Sequence, residues 1–592
     1  MLEPYINKMP ERLAEFNPFP SVADREAWDG LQGDIKECII ARGDEALDAG
    51  FPYITASDWL SYSRNGDRAG FEAKYFARRR GLCALVLAEC AQAGGRYTEA
   101  IINHIFAICE ESGWQLPAHN TYIRDTPALP LPDVSRPVLD LFACETGALL
   151  ACAVYLLKEP LTERCPALLE RVDCEIERRV AHPYLNGWFW WMGDGNTNNW
   201  TVWCTQNVLY ALFLGGSPLA KDACVKAAAS IDAFLDGYAE DGCCDEGAMY
   251  YRHAGLCLFG ALEALDTVSG GVFAPLWRVP KIRNIARYIL DVHVDGDYYI
   301  NLGDCSPKAG RAGAREFLFA KRIGDSELSA FAAADYIGGK GWDLPDEINL
   351  FYRTQAVFAA RTIRALPITD MRRRDAWYPD SELYIARDGT YCLAVNAGSN
   401  GVGHNHNDAG SFILYKNGKP FIIDIGVETY TAKTFSPERY KIWTMRSSWH
   451  NLPDFDGIEQ QAGDAFRARD VRASLGYISS CEMELAGAWP ETARIRSYKR
   501  RVTLVKGVCV KVSDMYDGGF ASVTLNLMFS VRPVIEEWGL ELPGLGKLRL
   551  TGASNITIEE VGITDPKLRQ AWPECIYRAR IVCGKAIEID IT

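Results

Sequence analysis

The spacing of apolar residues changes character near residue 375, and that change limits what the chain can fold into. Before it, Ile101, Ile105 and Cys109 recur at helical spacing with Ile102 and Phe106 on the adjoining line. Val138, Leu141, Phe142 and Leu149 repeat the pattern, as do Val202, Gln206, Leu209 and Phe213. After it, Val523, Leu525, Leu527, Phe529 and Val531 point one way while Thr524, Asn526, Met528 and Ser530 point the other. "RVTLVKGVCVKV" reads as a hairpin turning at Lys506-Gly507, and the chain closes on Ile587, Ile589 and Ile591 alternating with Glu588, Asp590 and Thr592. The expectation is a multidomain chain, α then β, with a helical domain over 1–375 and an antiparallel β domain over 376–592. "RTIRALPITDMRRRDAWYPDSELY" joins the two. Helix after helix linked by Gly/Pro-containing loops is the pattern of a toroid of helical hairpins.

Two domains suit 592 residues, more than one hydrophobic core usually supports. A net charge of -14 argues against general binding to nucleic acid or an anionic membrane, though a basic cleft for an acidic substrate is compatible with it. The first residues, "MLEPYINKMPERLAEF", carry charges where a signal peptide has an apolar core. The 19 cysteines form no C-x-x-C pair of zinc-ribbon spacing, which fits reduced thiols. The expected setting is the cytoplasm, with a trimmed secretory or periplasmic chain as the alternative. Oligomeric state is not legible.

"GVGHNHNDAG", residues 401–410, holds two of the eight histidines. In an extended strand His404 and His406 project from one face. Asp424 in "KPFIIDIG" and His450 in "MRSSWHNLP" complete, with His406, a two-histidine, one-carboxylate set suited to zinc. The alternative is that these are polar residues of a Gly-rich turn. In the helical part, "WFWWMGDGNTNNWTVW" places Asp194, Asn196, Asn198 and Asn199 among tryptophans, and "DGCCDEGAMYYRHAG" gathers Asp241, Asp245, Glu246, Tyr250, Tyr251, Arg252 and His253. Aromatic walls interleaved with amides and carboxylates suit sugars, whose apolar faces stack on rings while their hydroxyls need hydrogen-bond partners. The competing reading makes the tryptophans core, which is favoured for Trp188 or Trp191 taken singly, and makes Asn198 or Asn199 a helix N-cap.

"GHNHNDAGSFILYKNGKPFIIDIG", with "SSWHN" after it and "EGAMYY" before it, resembles the heparinase II/III family of polysaccharide lyases, whose relatives cleave glycosaminoglycans, alginate and other uronates. The resemblance implies an incomplete (α/α) toroid followed by an antiparallel β-sandwich. It also implies β-elimination on an acidic oligo- or polysaccharide, in which a uronate loses its C5 proton and then the C4 glycosidic oxygen. By the same resemblance Tyr250 donates to the leaving oxygen, with Tyr251 as the alternative register, and Asn199, before Asn198, holds the uronate carboxylate. His404 serves as base or carboxylate partner, which on a shared strand face with His406 would require a bend or bulge. His406, Asp424 and His450 ligate one structural Zn2+, with another divalent metal as the alternative.

Some relatives place a histidine beside the toroid asparagine, where this chain has Asn198 and Trp200 flanking Asn199, so His119 and His253 stand as substitutes. Trp200, Glu246, Arg252, Arg439 and Arg446 are further substrate contacts to consider. Three readings follow: a uronate lyase acting on heparan, chondroitin, hyaluronan or alginate; a toroid glycoside hydrolase using a carboxylate pair from Asp194, Asp241, Asp245 and Glu246; and a glycan-binding protein without catalysis.

Overall fold

The computed structural model describes residues 1–592 except 125, 194–197 and 368–372, and omits the side chains of Ala432 and Phe435. Asp194 and Asn196 therefore lie outside the described residues, as does part of the joining segment. The chain forms two compact units that do not follow chain order. One comprises Met1–Tyr238, His253–Ile282 and Ala312–Thr369; the other comprises Ala239–Arg252, Arg283–Arg311 and Asp370–Thr592.

The first unit is helical, and its helices divide into two kinds. Ala69–Gln92, Leu141–Leu156, Asn199–Leu214, Gly255–Val268, Ala314–Ile323 and Leu350–Arg364 pack each on the next, and the last returns to the first. Leu141–Leu156, Asn199–Leu214 and Gly255–Val268 are buried nearly all round; in Asn199–Leu214 every residue from Cys204 to Phe213 is buried. Small residues permit the close approach, since a Cβ added at Gly147 would lie 2.8 Å from Val180 Cγ2. A second set, including Gly33–Ala49, Thr98–Cys109, Ala220–Gly237 and Ser326–Gly338, packs outside them. Thr98–Cys109 shows the difference: it buries Ile101, Ile105, Ile108 and Cys109 and exposes Phe106. Side-chain caps fix where three of the inner helices begin, those starting at Leu141, Asn199 and Leu350. Asp140 accepts from the Ala143 amide at 2.7 Å and Asn198 from the Trp200 amide at 2.9 Å, each satisfying an otherwise orphan N–H.

In the second unit a five-stranded antiparallel sheet runs Ala376–Tyr378, Leu383–Arg387, Tyr391–Asn396, Phe412–Lys416 and Lys419–Ile422 in simple meander order. A ten-stranded antiparallel sheet is built around the long strands Ile495–Val505, Cys509–Gly518, Cys575–Ile591 and Gly546–Gly562. Leu393, Phe412 and Leu414 from the first sheet share one buried cluster with Val502, Leu525 and Ile581 from the second, which makes the unit a sandwich. The expected hairpin is present, Val505 opposite Cys509 with Gly507 at φ +74° in the turn. The strand Val523–Phe529 departs from the alternating expectation, because Asn526 and Met528 are as buried as Leu525 and Leu527. Asn526 reaches the Leu452 carbonyl at 3.0 Å, and Met528 packs in a second cluster with Ile425 and Trp572.

One buried ion pair connects this core to the loops that follow the histidine motif. Arg500 and Asp514 are fully buried and bond twice, at 2.8 and 2.7 Å. Arg500 Nη1 also donates to the carbonyls of Gly410 and Asn451, both at 2.8 Å, so one guanidinium fixes the end of "GVGHNHNDAG" and the residue after His450. Replacing Asp514 by alanine leaves that guanidinium buried without its counter-charge, and breaking such a pair costs about 3–5 kcal/mol. Urea unfolding of Asp514→Ala, followed by circular dichroism, is expected to show an early transition; a wild-type midpoint would contradict the account.

Candidate metal centre and tyrosine–histidine cluster

The motif at 401–410 is a loop, which corrects the expectation of a strand presenting two histidines on one face. His404 sits in the left-handed region at φ +53°, a conformation few non-glycine residues hold without support. The support comes from "NLGDC", residues 301–305. The Asp304 amide donates to the His404 carbonyl at 3.1 Å. Gly303 makes this approach feasible: its φ is +55°, and a Cβ there would lie 2.5 Å from that carbonyl oxygen.

The Asp304 carboxylate then takes over what a shared strand face was expected to do. Its Oδ2 pairs with His404 Nδ1 at 2.9 Å, and its Oδ1 pairs with His406 Nε2 at 3.2 Å. Arg439 Nη2 donates to Oδ1 at 2.6 Å and the Tyr430 hydroxyl to Oδ2 at 3.2 Å. The Asp304 side chain has no exposed surface. Burial opposes its charge, but the hydrogen bonds from His404 and His406 and the Arg439 charge hold its carboxyl well below the usual carboxylate range. Arg439, considered from sequence as a substrate contact, is committed here and to the Asn405 carbonyl.

Tyr250 stands on the short helix Gly247–Tyr251, its ring 5.2 Å from and nearly parallel to that of His404. Its hydroxyl is 2.6 Å from that of Tyr430. Burial pushes both tyrosine hydroxyls above their ordinary value, and the mutual contact and the Asp304 charge push Tyr430 further. Tyr251 is fully buried and donates to the Ala286 carbonyl at 3.0 Å, so the structure brings Tyr250 and not Tyr251 to His404. Glu246 Oε2 lies 3.6 Å from His404 Nε2. Burial works against a charged His404, but its bond to Asp304 and the Glu246 charge win, raising its pKa.

His406, Asp424 and His450 are buried together, each offering a ligand atom within 4.8 Å of the others. His406 Nδ1 and His450 Nε2 are buried with no hydrogen-bond partner among the described residues, a costly state for a core imidazole unless a cation takes the lone pair. The other ring nitrogens are occupied: His406 Nε2 by Asp304, and His450 Nδ1 by Asp424 Oδ2 at 2.7 Å. Asp424 Oδ1 accepts from the Gly426 amide at 2.9 Å and from Asn301 at 3.4 Å. Asn451 ties the neighbourhood together, donating to the Phe412 and Ile423 carbonyls at 2.7 and 3.0 Å and accepting from the Met528 amide at 2.9 Å. These donors fit a divalent metal.

The remaining sequence candidates are placed as follows. In the helical unit Asn198 is the N-cap and Asn199 the first, buried, residue of its helix. The Trp200 ring lies 4.8 Å from His119 and 5.0 Å from Trp190, and His119 Nδ1 meets Asp140 Oδ2 at 2.7 Å. Trp203 stacks on His253 at 4.0 Å. Trp191 is core as expected, whereas Trp188 is exposed, against the core reading; it precedes the inner helix and carries Lys226 Nζ 5.7 Å over its ring. In the other unit Arg252 donates to the Arg311 carbonyl and Arg446 forks onto Glu459 at 2.9 Å twice. Asp241 accepts from the amides of Cys243, Asp380 and Ser381, a structural duty that speaks against general acid or base work. Asp304, Tyr430 and Asn301 were missed. The local signal was a Gly-Asp pair following asparagine, too common to single out.

His450→Ala removes one ligand and is expected to lower both bound metal, read by plasma mass spectrometry, and melting temperature, because metal binding contributes to folding. Unchanged metal content would remove His450 from the set.

Residues 370–505 match the family model "Heparinase II/III-like, C-terminal". No curated protein is a significant sequence match. Among solved structures the chain is similar to heparinase III, at TM-score 0.64 and 14% identity over 100% of this chain and 88% of that one. It is also similar to a heparan sulfate lyase mutant from Pedobacter heparinus, at 0.62 and 15% over 100% and 87%. A chondroitin AC lyase from Streptomyces coelicolor, solved with chondroitin sulphate, matches at 0.54 and 12% over 96% and 82%. The fold is therefore the incomplete (α/α) toroid with a C-terminal antiparallel β-sandwich. Residues 370–505 are thus similar to the C-terminal domain of heparinase II/III-like proteins, and the chain shares the fold of heparinase III.

Proposed function

We propose that the chain is a polysaccharide lyase that cleaves uronate-containing glycosaminoglycans by β-elimination. The observation that carries this reading is the pairing of Tyr250 with His404 beside a buried His-Asp-His set, His404 and that set lying within the heparinase II/III-like segment 370–505. Elimination breaks the C5–H bond, forms the C4=C5 double bond with that electron pair, and releases the C4 oxygen, which takes a proton. No water is consumed. Such chemistry needs a base, a neutraliser for the uronate carboxylate and an acid for the leaving oxygen. Tyr250 is assigned the proton of the leaving oxygen, since its hydroxyl meets that of Tyr430 rather than a backbone acceptor and its ring lies against His404. His404, its Nδ1 fixed by Asp304, is assigned to the uronate as base or carboxylate partner through Nε2. In the helical unit, Asn199 and the Trp200 ring are assigned to sugar contact.

His406, Asp424 and His450 are assigned to zinc, which the two-imidazole, one-carboxylate set suits. When bound, zinc supplies a fixed positive charge that orders the loop carrying His404. The 19 cysteines, none of them bridged, support a reducing cytoplasmic setting.

The test is ultraviolet absorbance during incubation with heparan, chondroitin, hyaluronan and alginate oligosaccharides, because only elimination makes a conjugated double bond. A rise with a glycosaminoglycan is expected; new reducing ends without absorbance would move the reading to hydrolysis. Tyr250→Phe is expected to lower kcat about 10²–10⁴-fold with KM changed by less than about threefold, the range for removing a general acid. Near-normal turnover would exclude Tyr250 as the acid.

A further inference from the structure

The sequence motifs leave out a residue that bonds to both histidines of the His-x-His block. We propose that Asp304 is a positioning residue that links the metal centre to the turnover machinery, one carboxylate orienting His404 through Oδ2 and the metal-ligating His406 through Oδ1. The proposal rests on the lyase reading for His404 and on the donor set for His406.

Four features carry it. The two oxygens are divided between the histidines, 2.9 Å to His404 Nδ1 and 3.2 Å to His406 Nε2, so each imidazole is left with its other nitrogen directed elsewhere. For His406 that nitrogen is the unpartnered Nδ1 of the metal set; for His404 it is Nε2. A carboxylate on the far nitrogen of a ligating histidine fixes ring orientation and strengthens the ligand. Asp304 also receives the Tyr430 hydroxyl, which in turn meets Tyr250 at 2.6 Å. Its backbone is held in place independently of these bonds, by the amide on the His404 carbonyl and by Asn301 on the Asp424 carbonyl at 3.2 Å. The segment 301–305 thus has a separate contact with each of His404, His406 and Asp424. Arg439 at 2.6 Å balances the charge, so the carboxylate is not simply a counter-ion waiting for a metal.

A purely structural aspartate and a positioning one are separated by two measurements on the full-length protein. Zinc affinity of Asp304→Asn, from competition with a chromophoric chelator, is expected to fall about 10–100-fold, the usual effect of losing such a partner. At saturating zinc, D304N is expected to lower kcat about 100-fold or more with KM within about threefold, and to add little when combined with His404→Ala, because the two act as one unit. Zinc affinity and kcat both within twofold of wild type would overturn the proposal, as would losses of kcat that multiply in the double variant. If D304N does not fold, Asp304→Glu, which keeps the charge but moves the oxygens by a methylene, is measured in the same way and judged by the same two criteria. If wild-type protein eliminates no uronate, the lyase reading fails, while the zinc measurement still decides whether Asp304 supports His406.

Discussion

A carboxylate with no exposed surface survives only where its surroundings return what water would have given it. Asp304 is in that position, and its two oxygens receive an imidazole each, a guanidinium and a phenol. Every one of those donors is therefore constrained by the same need. Move the carboxylate and the two rings lose a common reference, the Tyr430 hydroxyl loses its acceptor, and Arg439 keeps a charge with only carbonyls to meet it. The geometry at the cluster is in this sense dictated by electrostatic satisfaction, with packing supplying the walls.

The sandwich does the complementary work of holding loops that have no regular structure of their own. His404 lies in a strained backbone conformation and His450 follows a run of short 3-10 turns, so neither is placed by secondary structure. Arg500 reaches from the sheet interior to the carbonyls at one end of each loop, and the Asn451 amide meets two strands and the residue that follows a third. Buried polar groups of this kind are costly when left half satisfied and rigid when fully satisfied. Arg500 and Asn451 are satisfied, which is how irregular backbone comes to present side chains at fixed distances.

Much of this was legible in the sequence, and the illegible part has a physical explanation. The switch from helical to alternating spacing gave the order of helical and β parts, and the Lys506-Gly507 hairpin lies where the alternation placed it. The His-x-His block, Asp424 and His450 could be grouped because residues that ligate share chemistry. Asp304 could not be found in that way. It lies 100 residues before His404, in a stretch whose only local mark is Gly-Asp, and its meaning arises from tertiary contact alone. The strand reading of residues 401–410 failed for a related reason: periodicity reports faces, but a glycine-rich stretch is free to take left-handed turns that have no face. Val523–Phe529 shows the reverse case, where alternation was correct as a strand signal yet both faces are covered.

The interleaving of the two units sets a limit on where the cluster can be said to reside. Tyr250 and Glu246 come from Ala239–Arg252 and Asp304 from Arg283–Arg311, both interrupted by helical segments, while the histidines come from the long C-terminal stretch. The matched family segment, 370–505, contains the ligands and His404 but neither Tyr250 nor Asp304. An excised or transplanted C-terminal domain would carry the recognisable motif and lack two of the groups that give it geometry. During synthesis, likewise, the earlier segments wait for a hundred or more further residues before their partners exist. The unit of inheritance, and of engineering, is the whole threaded chain.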